Sequence, residues 1–124
     1  MIHVYNRNKE THIGPNNYPI FRGLSILGNP YTHIKDKKTK AIFLVKDRDE
    51  AIEKYSHYFD LMYASNLEFK KIIDEIYTKY KNGEEIYLEC YCHPLPCHGD
   101  IIAKKLQQRS IKETFQQLSK IKNK

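Results

Sequence analysis

The sequence predicts an α/β fold: one small domain whose sheet is flanked by helices, with a strand–loop–helix site at Cys90–Asp100. Three observations lead there. Short β-rich runs alternate with amphipathic stretches, the order expected of strands joined by helical crossovers. The richest run, "EIYLECY" (Glu85–Tyr91), lies between Gly83 and Pro94 and is expected near the middle of the sheet. The 124 residues suit one domain with a real core, and 40% hydrophobic content with ten Tyr and five Phe fits a globular chain. Residues 1–121 are expected to form that domain and 122–124 a frayed basic tail.

In chain order, "IHVYN" (Ile2–Asn6) alternates in polarity and reads as a first strand. "HIGPNNYP" reads as a loop, "PIFRG" (Pro19–Gly23) as a short second strand, and "LGNPY" as a turn in which Pro30 holds Asn29 extended. After the basic stretch "HIKDKKTK", "AIFLV" (Ala41–Val45) reads as another short strand. Asp47 with Glu50 has capping-box spacing and predicts a helix from about Arg48 to Met62, with Ile52, Tyr55, Phe59 and Met62 on one face. Ser65 with Glu68 repeats the signal for a second helix bearing Phe69, Ile72, Ile73, Ile76 and Tyr80, closed by Gly83. Beyond Glu85–Tyr91, helical spacing returns through Ile101, Ile102 and Leu106. Ser110 with Glu113 predicts a separate last helix carrying Ile111, Phe115, Leu118 and Ile121.

The formal charge is +6, from 21 Lys and Arg against 15 acids, which favours an anionic partner or simply a solvated Lys-rich surface. No apolar run approaches the roughly 20 residues of a membrane helix, and no secretory signal opens the chain, so a cytoplasmic protein with no membrane partner is expected. Three cysteines without such a signal read as reduced thiols or ligands. If Cys90 and Cys92 share a strand, they point to one face in a poor geometry for pairing with each other.

All three cysteines fall in "LECYCHPLPCHGD" (Leu88–Asp100), which supports three readings. As a metal site, Cys90, Cys92, Cys97 and His98 offer four zinc-type ligands. The C-x-C spacing and the adjacent Cys97–His98 pair suit one ion badly, so no cofactor is expected and zinc is the exception to test. As the opening of a helix after a strand, Cys97–His98–Gly99–Asp100 could hold an anion on free backbone N–H groups, with Gly99 allowing close approach and Cys97 activated as a thiolate. In the third reading Asp100 stabilises the helix start and the thiols are inert core residues.

"RGLSILGNPYTH", "KTKAIFLVKDRDEAIEKY" and "LECYCHPLPCHGDIIAKKL" resemble, in that order, domain of unknown function family 4326, frequent in phages and bacteria. The family pattern runs R-x-S-x-x-G-N-P-F-x-H, then T-x-A-x-x-x-V-x-x-R-x-E-A-I-x-x-Y, then C-W-C-x-P-x-x-C-H-G-D. The likeness covers about residues 19–106. Tyr31 stands where Phe is usual and Tyr91 where Trp is usual, and "RGLS" departs from "RPS" around Gly23–Ser25. The resemblance implies a small Rossmann-like fold and carries no established reaction. It marks Arg22, Asn29, His33, Arg48, Cys92, Cys97, His98 and Asp100 as candidate site residues.

Two guanidiniums, an amide, imidazoles and a helix N-terminus suit a nucleotide or another phosphorylated small molecule. The expected function is therefore binding, sequestration or processing of such a molecule, a role open to a phage protein acting against host nucleotide immune signals. An enzymatic version would use Cys97 as nucleophile with His98 or His33 as base. Tyr31, Tyr87 and Tyr91 offer faces for a base, or for core packing. The rival class is a nucleic-acid-binding accessory protein, using Lys35, Lys37, Lys38 and Lys40 with the basic last helices (Lys104, Lys105, Arg109, Lys112, Lys120, Lys122, Lys124). A homo-oligomer is compatible with the sequence.

Overall fold

A computed structural model describes residues 1–22, 25–32, 43–93 and 95–122. Three parallel strands form an open sheet in the order β1 (Ile2–Asn6), β5 (Ile86–Cys90), β2 (Asn17–Pro19), with β5 in the middle as expected. A second pairing joins β3 (Tyr31–Thr32) to β4 (Phe43–Leu44), also parallel. Three helices complete the domain: α1 (Arg48–Ser65), α2 (Leu67–Lys81) and α3 (His98–Lys122). No helix among the described residues is long and apolar enough to cross a membrane.

Strand alternation divides the sheet into two unlike faces. Ile86, Leu88 and Cys90 point one way and are buried. They join Tyr55 and Phe59 of α1, Phe69, Ile73 and Ile76 of α2, and Ile102 and Leu106 of α3 in one core cluster. Burying side chains of this size stabilises by about 1.5–3 kcal/mol each, so this helix-covered face supplies most of the driving force. The other face carries His3, Tyr5, Tyr87 and Glu89. There the His12 ring stacks on Tyr87 at 3.9 Å between centroids, and Asn17 donates to Glu89.

The helix boundaries follow from their caps. Asp47 accepts from the Glu50 N–H at 2.8 Å and opens α1 as predicted. The cap of α2 is Asn66 rather than Ser65: Asn66 is extended, ends α1, and accepts from the Phe69 N–H at 3.0 Å. Ser65 instead donates its hydroxyl to the Leu61 carbonyl. Gly83, at φ +83°, lies just past the end of α2, in the left-handed region that glycine tolerates.

Three expectations are corrected here. The second strand is Asn17–Pro19, inside the segment read as a loop, because the Tyr87 N–H bonds to the Asn16 carbonyl and the Ile20 N–H to the Glu89 carbonyl. Tyr31, expected in the turn, instead begins the strand Tyr31–Thr32, which pairs with Phe43–Leu44. Ser110 and Glu113 open no new helix: α3 runs unbroken from His98, since no glycine or proline interrupts residues 100–122. Glu113 is occupied elsewhere, accepting from the Tyr77 hydroxyl at 2.6 Å.

Candidate functional site

The carboxyl ends of the three parallel strands lie together, and the segments leaving them carry most of the sequence-predicted residues. In an open parallel sheet this is the end where ligands bind. Asn6, at the end of β1, donates from Nδ2 to the carbonyls of Tyr91 and His93 and so anchors the cysteine loop. Cys90 ends β5, which places Cys92 in the following turn rather than on the strand, where the Leu95 N–H bonds to the Cys92 carbonyl. Cys97 precedes the first residue of α3.

Asp100 makes the start of α3. Its Oδ2 accepts from the Cys97 N–H at 3.1 Å while its own N–H donates to the Cys97 carbonyl. This is the capping role that the sequence left as one alternative. Gly99 allows close approach, but of the sheet rather than of a ligand: a Cβ there would stand 2.8 Å from Ile20 Cδ1 and 2.9 Å from Val4 Cγ1.

The Cys97 sulfur is buried and points at Cys90, with 3.7 Å between the two Sγ atoms. The Cys97 thiol donates to Cys90, and the His93 N–H adds a second contact at 3.5 Å. These donors lower the Cys90 pKa, whereas Cys97, which keeps its proton to donate in the contact and is shielded from solvent, is raised. The thiolate tendency expected for Cys97 therefore falls on Cys90.

His98 is buried, and its Nε2 lies 2.6 Å from the Ile20 carbonyl. A carbonyl can only accept, so Nε2 carries the proton. Burial lowers the His98 pKa to about 4 and the Arg22 charge adds to the effect, leaving a neutral ring packed edge-on to Tyr55. As the ring is turned to Ile20 and the thiol to Cys90, no hydrogen bond links Cys97 to His98 among the described residues.

Arg22, just beyond β2, donates from one guanidinium nitrogen to the carbonyls of Asn29 (3.1 Å) and Tyr31 (2.9 Å). Asn29 is buried and holds the turn, donating to the Ala51 carbonyl and accepting from the Tyr31 N–H. Partial burial lowers the Arg22 pKa, against which the nearby Cys92 acts to raise it. Arg22 has no carboxylate partner among the described residues, and neither has Arg48, whose guanidinium donates to the Pro96 carbonyl at 3.3 Å. Two arginines from separate segments thus lie against the cysteine loop, Arg22 near Cys92 and Arg48 at the Pro96 carbonyl. His33 lies outside the described residues, as do Lys35, Lys37, Lys38, Lys40 and Lys124.

Arg7 also belongs to this region, although no sequence motif singles it out. It packs over Phe21 at 5.6 Å, donates to the Tyr91 hydroxyl, and stands 3.6 Å from Glu89. The signal available was its place: the first basic residue after a strand of a parallel sheet. Tyr91 is exposed beside Phe21 and Arg7, whereas Tyr87 is stacked on His12 and Tyr31 on Phe43. No three His, Cys, Asp or Glu side chains among the described residues stand together as a cation site. Of the basic residues on α3, Lys105 is paired with Asp60 and Arg109 with Asp74.

A family model described as Domain of unknown function (DUF4326) matches residues 4–108, from β1 into the third turn of α3. No curated protein and no solved structure matches the chain.

Proposed function

We infer that this chain, which belongs to the family Domain of unknown function (DUF4326), binds a phosphorylated, nucleotide-like small molecule at the carboxyl end of its sheet. The carrying observation is Arg22: a half-buried guanidinium that meets two carbonyls and no carboxylate among the described residues. Desolvating a cation without an opposing charge is costly, and an incoming phosphate would offset that cost with bonds to the remaining guanidinium nitrogens. Arg7 directly follows β1, and Arg48 reaches the loop after β5 at the Pro96 carbonyl. Tyr91 and Phe21 offer aromatic surface beside Arg7. The burial and separate engagement of Cys97 and His98 favour binding over a Cys-dependent hydrolase or transferase. A binder of this kind acts by sequestration, a role that a phage would use against a host nucleotide signal.

Calorimetry of the folded protein against a panel of nucleotides and ADP-ribose tests the reading. Micromolar or tighter binding, about −8 kcal/mol or better, is expected for at least one of them. Arg22→Ala and Arg48→Ala should each remove about 1.5 kcal/mol or more, as for a hydrogen bond to a charged group. Exchanging Lys37 and Lys38 for alanine should change little. The reading is wrong if no nucleotide binds while DNA or RNA binds tightly, with salt-sensitive affinity that the Lys37/Lys38 exchange abolishes.

A further inference from the structure

Cys90 and Cys97 are brought together by the fold rather than by local spacing. Cys90 occupies the last ladder position of β5, and its sulfur faces the helices with Ile86 and Leu88. Cys97 sits where the chain re-enters the core to begin α3, tied by its N–H to Asp100. Their sulfurs stand 3.7 Å apart, thiol against thiol, in a buried setting. Cys92, two residues from Cys90, lies near Arg22 and is partly exposed.

We propose that Cys90 and Cys97 form a redox modification site, closing reversibly to an intramolecular disulfide that ties the end of β5 to the start of α3. The sulfurs must move from 3.7 Å to about 2.05 Å, a shift that side-chain rotation and the short turn between them can share. With a peroxide as oxidant, the Cys90 sulfur attacks the O–O bond and becomes a sulfenic acid as one oxygen leaves as water. The Cys97 thiol then attacks that sulfur, the S–S bond forms, and the second water departs. Two thiols and one peroxide give one disulfide and two waters, and a dithiol reductant reverses the step. Cys92 takes no part. The proposal does not depend on what the strand-end region binds.

The test uses the full chain and the Cys92→Ser variant, each reduced and then exposed to stoichiometric hydrogen peroxide. Both should lose the mass of two hydrogens on intact-mass analysis. The variant should then show no alkylatable thiol after denaturation, and a dithiol should restore both thiols. Proteolytic mapping of the wild-type chain should find the link between Cys90 and Cys97, so the result does not rest on folding of the variant. The proposal fails if Cys90 and Cys97 both alkylate fully after peroxide treatment. It fails equally if oxygen is added at a single cysteine, or if the disulfide found involves Cys92.

Discussion

Gly28 shows how the motif turn and Arg22 depend on each other. Its φ is not positive, so its requirement is steric rather than conformational. A Cβ at this position would lie 2.9 Å from Arg22 Cα, 3.0 Å from Arg22 N and 3.2 Å from the Ser25 carbonyl oxygen. All three are backbone atoms, so no side chain can swing aside, and Gly28→Ala must push the two arms of the turn apart by about half an ångström. Overpacking of this kind costs about 1–3 kcal/mol. Displacing Arg22 also strains its bonds to Asn29 and Tyr31, at 3.1 and 2.9 Å, and losing one of them adds about 1 kcal/mol. The expected loss is about 2–4 kcal/mol, or roughly 8–16 °C in thermal midpoint for a chain of this length. Gly83→Ala is the control: it meets no atom within 4 Å and suffers only its φ of +83°, a cost of about 1 kcal/mol far from Arg22. Thermal unfolding monitored by circular dichroism ranks the two variants, and calorimetry with the best nucleotide compares their binding. Gly28→Ala should lose stability and affinity together, and Gly83→Ala stability alone. If Gly28→Ala melts no lower than Gly83→Ala, or binds like the parent, the steric account of the motif glycine is wrong.

His98 should make stability depend on pH. Its pKa is lowered to about 4 in the fold from an ordinary 6.5, so below pH 6.5 only the unfolded chain takes up the proton. Stability is whole above that pH and should fall by about 3 kcal/mol as pH drops toward 4; urea unfolding of parent and His98→Gln at pH 7 and 4.5 should give a smaller loss for the variant. Asp47→Ala removes the acceptor of the Glu50 N–H and should cost about 1 kcal/mol in chemical denaturation. Ser110→Ala, at a site with the same local pattern but inside a continuous helix, should stay within about 0.5 kcal/mol of the parent. Phe115→Ser, at a position 68% exposed, should likewise leave the melting point nearly unchanged.

The contrast between Asp47 and Ser110 shows what local sequence can carry. Both begin a capping box, but the box matters only where the following N–H groups lack partners. Before Arg48 the chain is not helical, so Asp47 has an orphan N–H to satisfy. Before Ile111 the chain is already helical, and those N–H groups are bonded one turn back. The Ser65/Glu68 signal missed its cap by one residue for a related reason. The two helices abut, and Asn66 serves as the last cap of one and the first of the other. The alternation of Ile86, Leu88 and Cys90 was enough to place the central strand. By contrast, the three residues of β2 have no period of their own, and their register is imposed by Tyr87 and Glu89.

The site divides along the same line. The strand-to-helix order was legible, because it is a property of its own segment. What the cysteines do was not legible, because it depends on which sulfur the fold sets opposite which. In sequence Cys90 is nearest Cys92, and in space it meets Cys97. The helix start that looked open to a ligand is filled from inside: Asp100 takes the Cys97 N–H, and Val4 and Ile20 crowd Gly99. An anion arriving at this end of the sheet would therefore be held by side chains rather than by bare backbone N–H groups. Of these, Arg22 and Arg48 have guanidiniums with no carboxylate among the described residues to compete for them. Affinity should then follow the arginines, falling with each one removed, and should be little altered by Asp100→Asn, which keeps an oxygen to accept from Cys97. A large loss of nucleotide affinity in Asp100→Asn, with stability intact, would return the binding role to the helix N-terminus.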